Sequence, residues 1–508
     1  MFTLKNNLKI VPFVLILSGL NLLFFHYPFF KFVANNVNCS SGNGLLLLVS
    51  LAIAVVVVNA FVFFLFFAIS RPFSKLLLSV FFMVSSIAVY FVNSYSVIID
   101  ESMIGNVLNT KYSEASSFFS IKLIIYLFIF GILPSIFIFK TTLVGVSLKK
   151  FFKILAVALL FILILVFSNA SNVLWIDKNS KTVGGLAMPW SYVVNLSLFY
   201  KHKSNENEKE ILLPTATLKN QEKAVVVLVI GESARRQNFS LYGYAKNTNP
   251  LLSKTPNVFH FDANAAATYT TAGVKAILEH QDTGDLYEIL PNYLERNKVE
   301  VVWRTNNWGE PPLHIKNYQN REALAKNCQG NGCNYDEVLL TNLKEQILSS
   351  TKNKILIVLH TSTSHGPLYS TKYPSAFEKF SPVCKSVELG NCSQTDLINA
   401  YDNTIVYTDF LLHQIIETLK PLKQFKSSMI FVSDHGESLG ENNLYMHGVP
   451  ISIAPKEQYQ IPFIVWVSNS SKGLKANKLL SQNHVFHSVL HFLDVESPIY
   501  DENKNIFK

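Results

Sequence analysis

At 508 residues the chain is too long for one ordinary domain, and 49% of it is hydrophobic, with the apolar residues unevenly spread. Residues 1–200 carry 13 Lys+Arg against 4 Asp+Glu and account for the whole formal net charge of +9. Residues 201–508 hold 31 of each sign, which argues against a nucleic-acid-binding face there and points to charges that orient membrane helices.

Five apolar stretches reach the roughly 20 helical residues that cross a hydrocarbon core of about 30 Å. They are Ile10–Phe30, Gly44–Ile69, Leu76–Ile99, Ile121–Phe139 and Phe151–Phe167. No small-residue cleavage site follows the first, so it reads as a span and not as a signal peptide. Lys5, Lys9, Arg71, Lys75, Lys140, Lys149, Lys150 and Lys153 fall on one side, whereas the opposite loops hold little more than Lys31 and Lys111. The positive-inside rule then puts the N-terminus in the cytoplasm and everything after about Ser168 outside. Between the third and fourth spans, the spacing of four in Asn106, Thr110 and Glu114 puts these polar residues on one helical face.

Residues 1–168 are thus expected to form a transmembrane domain, residues 169–217 a bridge and residues 218–508 a soluble domain. In the bridge, Trp175, Trp190, Tyr192 and Tyr200 suit a helix at the membrane interface, and the polar run from Lys201 to Glu210 suits a solvated linker. Beyond it, apolar runs end repeatedly in polar residues. Ala224–Ile230 leads into Glu232, Val299–Trp303 into Arg304, Asn306 and Asn307, Ile355–Leu359 into His360 and His365, and Met429–Val432 into Asp434 and His435. Such runs suit strands buried on both faces of a mostly parallel sheet, whose ligands gather beyond the carboxyl ends. Glu232, His365, Asp434 and His435 are therefore expected to meet in space. Carboxylate oxygens with imidazole nitrogens suit zinc. A nucleophile fits best in Ala265–Leu278, AAATYTTAGVKAIL, where a Thr at a helix start would meet the positive dipole end; an ordinary N-cap Thr is the competing reading. Cys328 with Cys333 and Cys384 with Cys392 read as two local disulfides of an oxidising compartment, and Cys39 is left over.

The stretches Ile230–Tyr244 (IGESARRQNFSLYGY), Thr268-Tyr-Thr270, His365-Gly-Pro367 and Ser433–Glu441 (SDHGESLGE), with Tyr445-Met-His447-Gly448, resemble the inner-membrane phosphoethanolamine transferases of Gram-negative bacteria, which include the mobile colistin-resistance enzymes. That family joins five transmembrane helices to a periplasmic α/β domain of the sulfatase and alkaline-phosphatase fold, so the resemblance covers nearly the whole chain. It implies a zinc shell of Glu232, Thr270, Asp434 and His435, with Thr270 the nucleophile, and His365 and His447 on the substrate phosphate or a second zinc. It further implies that Asn106, Thr110 and Glu114 bind the ethanolamine head group. Two departures stand out. Ala266 and Ala276 occupy places where many relatives carry a crosslinking Cys pair, with Ala267 at the Gly of their C-G-T-x-T, and Asn306–Pro311 (NNWGEP) lacks the Ser and Lys that some relatives place near the lipid.

The implied reaction is a double displacement. Thr270 attacks the phosphorus of phosphatidylethanolamine, diacylglycerol leaves, and the phosphoethanolamine passes from Thr270 to lipid A, the lipopolysaccharide core or another glycan, with His365 or His447 moving protons. The expected protein is a multi-pass, monomeric inner-membrane enzyme with its catalytic domain in the periplasm. A sulfatase with a modified nucleophile is disfavoured because Thr270–Val274 (TTAGV) has no C/S-x-P-x-R signature. A transporter is disfavoured because the spans contain almost no charge. A phosphoglycerol transferase similar to lipoteichoic-acid synthases is the alternative.

Overall fold

The computed structural model describes residues 7–109, 115–145, 147–169, 172, 175–176, 179–205, 210–387, 389–469, 474–475 and 479–508. Lys5, Thr110, Lys111, Glu114 and residues 206–209 of the polar linker lie outside the described residues. The chain divides into two compact units, Met1–Leu108 with Phe119–Lys203, and Asn109–Phe118 with Ser204–Lys508.

In the first unit, Gly42–Ile69, Arg71–Tyr95, Ile121–Lys140 and Leu148–Ser168 are each long and apolar enough to span a membrane. The first apolar stretch differs from the continuous helix expected over Ile10–Phe30. It is a pair of helices, Ile10–Phe25 and Tyr27–Asn36, bent by 65°. Pro28 explains the break. It lies in the first turn of the second helix, where its missing N–H costs nothing, whereas inside one long helix its ring would meet the carbonyl four residues back. The helix Ile121–Lys140 widens into a π turn over Leu127–Ile132, just before Pro134. Gly131 in that turn allows close approach, because a Cβ there would stand 3.1 Å from the Met83 Cα on the Arg71–Tyr95 helix. Arg71 and Lys75 donate to the carbonyls of Leu143 and Thr141, so these cations sit at the same end of the unit as Lys140. The helix Trp190–Asn205 is fastened within the unit by Trp190 Nε1, which donates to Asn59 Oδ1 at 2.7 Å. Asn106 lies on the helix Glu101–Asn109.

The second unit is built on an eight-stranded sheet. In chain order its strands are β1 (Ala224–Gly231), β2 (Val258–Asn264), β3 (Glu300–Thr305), β4 (Asn317–Asn320), β5 (Lys354–His360), β6 (Lys426–Ser433), β7 (Gln460–Val467) and β8 (Leu480–Ser481). Their spatial order is β8-β2-β7-β6-β1-β5-β3-β4, and only the pairings of β7 are antiparallel. Seven strands therefore send their carboxyl ends to one edge. Every residue of β1 and β5 is buried, which is why these strands read as unbroken apolar runs. β7 is as apolar but runs the other way, so its polar residues precede it. Pro462 fits in β7 because it lies beyond the last residue paired with β6. Both expected disulfides are formed, Cys328–Cys333 and Cys384–Cys392, and Cys39 is a free thiol.

Candidate metal and nucleophile site

The site forms where adjacent strands end. β1 and β6 pair in parallel with Gly231 opposite Ser433, so the next residues, Glu232 and Asp434, emerge side by side. Ser233 latches the two turns together. Held at φ +53°, a backbone region that costs a non-glycine residue energy, it donates from its N–H to Asp434 Oδ1 at 3.0 Å and from its hydroxyl to Glu232 Oε1 at 2.7 Å.

The helix Thr270–Leu278 starts at Thr270, with Tyr269 as the N-cap residue. Its first turn lies against the backbone of Asp434, since a Cβ on Gly273 would stand 2.2 Å from the Asp434 carbonyl oxygen. That contact admits glycine alone. Thr270 Oγ1 is thereby placed 3.3 Å from His435 Nε2 and 3.4 Å from Glu232 Oε2. Thr268 is committed elsewhere, its hydroxyl donating to the Val449 carbonyl at 2.6 Å.

His435 Nδ1 lies 2.8 Å from the Gly436 carbonyl, and a proton donated there turns the lone pair of Nε2 inward. Around Nε2 stand Thr270 Oγ1 at 3.3 Å, Glu232 Oε1 at 3.4 Å and Asp434 Oδ2 at 3.4 Å. Asp434 Oδ2 is buried and takes no hydrogen bond among the described residues. These three distances from Nε2 match the edge of a tetrahedron whose centre is about 2.0–2.1 Å from each corner, the length of a zinc bond to nitrogen or oxygen. The charges agree with that fit. Burial pushes the Asp434 carboxyl well above its usual range, and the neighbouring Glu232 adds to the push. Burial also opposes ionisation of Glu232, but the charges of His435, His365 and His447 with the Ser233 hydroxyl outweigh it and hold that carboxyl below its usual range. Two adjacent buried carboxylates ionise together only with a cation between them.

Glu232, His435 and His447 make an overlapping donor group, with one ligand atom each within 4.8 Å of the others. The two sets share Glu232 and His435. The His447 ring centroid is 4.2 Å from that of His435 and 5.4 Å from that of His365. The six soluble-domain residues singled out from the sequence, Glu232, Thr270, His365, Asp434, His435 and His447, are thus brought to one place.

Residues 224–495 match the Sulfatase family, and residues 43–204 match the family described as phosphoethanolamine transferase EptA/EptB. The chain is 40% identical over 499 residues to the phosphoethanolamine transferase EptA of Helicobacter pylori, covering 95% of this chain and 94% of that one. The chain belongs to the phosphoethanolamine transferase family. Among solved structures, the transferase is similar to the integral membrane lipooligosaccharide phosphoethanolamine transferase A of Neisseria meningitidis, with a TM-score of 0.88, 26% identity and 98% of both chains covered. The C-terminal periplasmic domain of phosphoethanolamine transferase EptC from Campylobacter jejuni matches 58% of this chain and 97% of its own, at 35% identity and a TM-score of 0.52.

Several further residues support the transferase's site, most of them within or beside the stretches named from the sequence. Asn307 donates from Nδ2 to Glu232 Oε2 at 2.7 Å and to the Thr361 carbonyl at 2.8 Å, which fixes the carboxylate. It follows β3 directly, so the rule of polar residues past strand ends does point to it. Gln482 carries no such signal. It donates to the carbonyls of Ser433 and Asp434 at 3.0 and 2.6 Å and accepts from the Ala266 N–H, joining the metal loop to the loop before Thr270. Glu437 lies 3.3 Å from His447 Nδ1, and burial pushes its carboxyl up to about 8. Arg235 and Asn238 form a buttress, with Arg235 paired to Glu441 at 2.7 Å and Asn238 donating to Asp402.

Proposed function

We propose that the transferase sits in the bacterial inner membrane and moves phosphoethanolamine from phosphatidylethanolamine to lipid A, the lipopolysaccharide core or another periplasmic glycan. Residues 1–168 hold it in the bilayer, residues 169–217 form the bridge and residues 218–508 carry out the chemistry in the periplasm, as a monomer. The observation that carries this reading is the Thr270 hydroxyl, buried at a helix start and within 3.4 Å of both Glu232 and His435. The Neisseria relative named for lipooligosaccharide supports a glycolipid acceptor.

Glu232, Thr270, Asp434 and His435 are assigned as the zinc ligands, with one zinc ion required. Bound there, zinc supplies Lewis acidity that lowers the pKa of a coordinated hydroxyl and neutralises phosphoryl oxygens. Thr270 Oγ forms a bond to the donor phosphorus as the bond from phosphorus to the diacylglycerol oxygen breaks, leaving a phosphoethanolamine ester on Thr270. His365 or His447 protonates the departing oxygen and later takes the proton of the acceptor hydroxyl as that oxygen bonds to phosphorus and the bond from phosphorus to Thr270 Oγ breaks, which returns Thr270 as the alkoxide that attacked. Glu437 holds the His447 ring for that task. The alternative role for His365 and His447 is a second zinc. Asn106, Thr110 and Glu114 are assigned to the ethanolamine head group.

Mass spectrometry of envelope lipids from cells with and without the protein tests the reading. A phosphoethanolamine increment on a glycolipid, together with a Thr270 peptide carrying the same group after incubation with phosphatidylethanolamine, is the expected result. A phosphoglycerol increment would replace the proposed donor. Active turnover with no labelled Thr270 would replace the covalent route.

A further inference from the structure

Beside His365 the second unit holds a polar pocket of about 480 Å³, within the range of small-ligand sites, lined in part by Asn306, Trp308, Arg321, Tyr335 and Lys372. Two cations line it, Arg321 and Lys372. Arg321 Nη1 donates to Asn306 Oδ1 at 3.3 Å and Nη2 to the Asn334 carbonyl at 3.1 Å, which leaves other donors of the guanidinium fork for a ligand. Among the described residues, neither Arg321 nor Lys372 is in an ion pair. Two acids also line the pocket, but Asp336 is buried and spent on Asn306 Nδ2, the Ser362 N–H and the Thr363 hydroxyl, and Glu322 is exposed.

The pocket is tied to the chemistry by one peptide bond. Asn307 grips Glu232, while its neighbour Asn306 is pinned by Asp336 and orients Arg321. A guanidinium held in advance binds a planar or tetrahedral oxyanion through paired hydrogen bonds at little ordering cost. Trp308 and Tyr335 add aromatic side chains to the lining.

We infer that this pocket is the acceptor subsite and takes an anionic substituent, a phosphate monoester or a carboxylate, on the saccharide that receives phosphoethanolamine. The inference rests on the transfer reading above. Full-length protein in lipid nanodiscs provides the test, using phosphate-bearing, carboxylate-bearing and neutral glycan acceptors with wild type, Arg321→Ala, Lys372→Ala and Arg321→Lys. Labelling of Thr270 by phosphatidylethanolamine without acceptor reports on the donor step separately. The ratio of KM for an anionic acceptor to KM for the neutral one should rise about 10-fold or more in the Ala variants, as for a lost hydrogen bond to a charged group, and less in Arg321→Lys. Comparison of the two anionic acceptors tells which oxyanion the pocket prefers. An unchanged ratio, or loss of Thr270 labelling in all three variants, would overturn the subsite. A wild type that never labels Thr270 and transfers to none of the acceptors would instead overturn the underlying reading.

Discussion

The two edges of the catalytic sheet treat buried charge in opposite ways. At the amino edge Lys354, the first residue of β5, is 1% exposed, and its Nζ donates to Asp494 Oδ2 at 2.9 Å and to Asn220 Oδ1 at 2.8 Å. That charge is neutralised within the fold. At the carboxyl edge Glu232 and Asp434 are buried side by side with only histidines and polar groups around them, and Asp434 Oδ2 takes no hydrogen bond among the described residues. Buried charge without an internal partner is costly and marks functional positions. The amino edge is complete by itself, whereas the carboxyl edge gathers buried donor groups that could hold a metal ion.

The largest effect expected of breaking the contrast is on Thr270, the proposed nucleophile. Thr270→Ala should lower transfer about 10⁴-fold or more while the fold persists, as for loss of a catalytic nucleophile. Thr268→Ala, which removes only the bond to the Val449 carbonyl, should keep transfer and lose about 0.5–1.5 kcal/mol of stability. Phosphatidylethanolamine turnover beside thermal unfolding distinguishes them, and equal loss of turnover in both would dissolve the role of the helix start.

Next come the ligands. Glu232→Ala or Asp434→Ala should abolish metal binding and turnover, with the metal-free protein at least as stable as metal-free wild type, because one of two adjacent buried carboxylates is gone. Elemental analysis showing full zinc in both variants would sink the proposed shell. Asn307→Ala, which frees the Glu232 carboxylate without touching the ion, should cost about 10–100-fold in metal affinity, read by chelator competition.

Lys354→Met addresses the other edge. It should leave zinc and turnover in place and cost about 1–3 kcal/mol, less than for a fully enclosed pair because the Asp494 side chain keeps 22% of its exposure. Loss of metal in this variant would show that the edges are not independent. The smallest effect is the pH dependence of that cost. Burial opposes ionisation of Asp494, but the hydrogen bond from Lys354 and the charges of Lys426 and Lys354 outweigh it, so its carboxyl titrates below the usual range. A depressed folded-state pKa adds stability that is present above the unfolded value of about 4 and fades as pH falls through the lower folded value. The difference in melting temperature between wild type and Lys354→Met should therefore hold from pH 7 to about 5 and narrow below about 4. A difference that grows in acid would refute the pairing.

The strands show how far local pattern reaches. β1, β3, β5 and β6 stand out because strands buried on both faces are continuous apolar runs followed by polar ligands. β2 alternates between exposed and buried residues over His260–Ala263, and β7 is reversed, so neither carries that signature. The helix pair Ile10–Phe25 and Tyr27–Asn36 carries its warning in Pro28, yet a hydropathy window averages across it.

Read as a string of residues, the chain already declares its membrane half, its charge asymmetry, its two disulfides and the motif residues of the site, because each depends on composition or on neighbours within a few positions. Which threonine meets the metal donors does not depend on neighbours. Thr270 is distinguished from Thr268 by the approach of Gly273 to the Asp434 backbone, and Glu232 is held by Asn307 across 75 residues of chain. Gln482 reaches the Asp434 carbonyl across 48. Such contacts exist only once parallel pairing has set Gly231 opposite Ser433 and brought distant loops to a single edge. The donor types are written locally, whereas their spacing of 3.3–3.4 Å is a product of strand register and close packing.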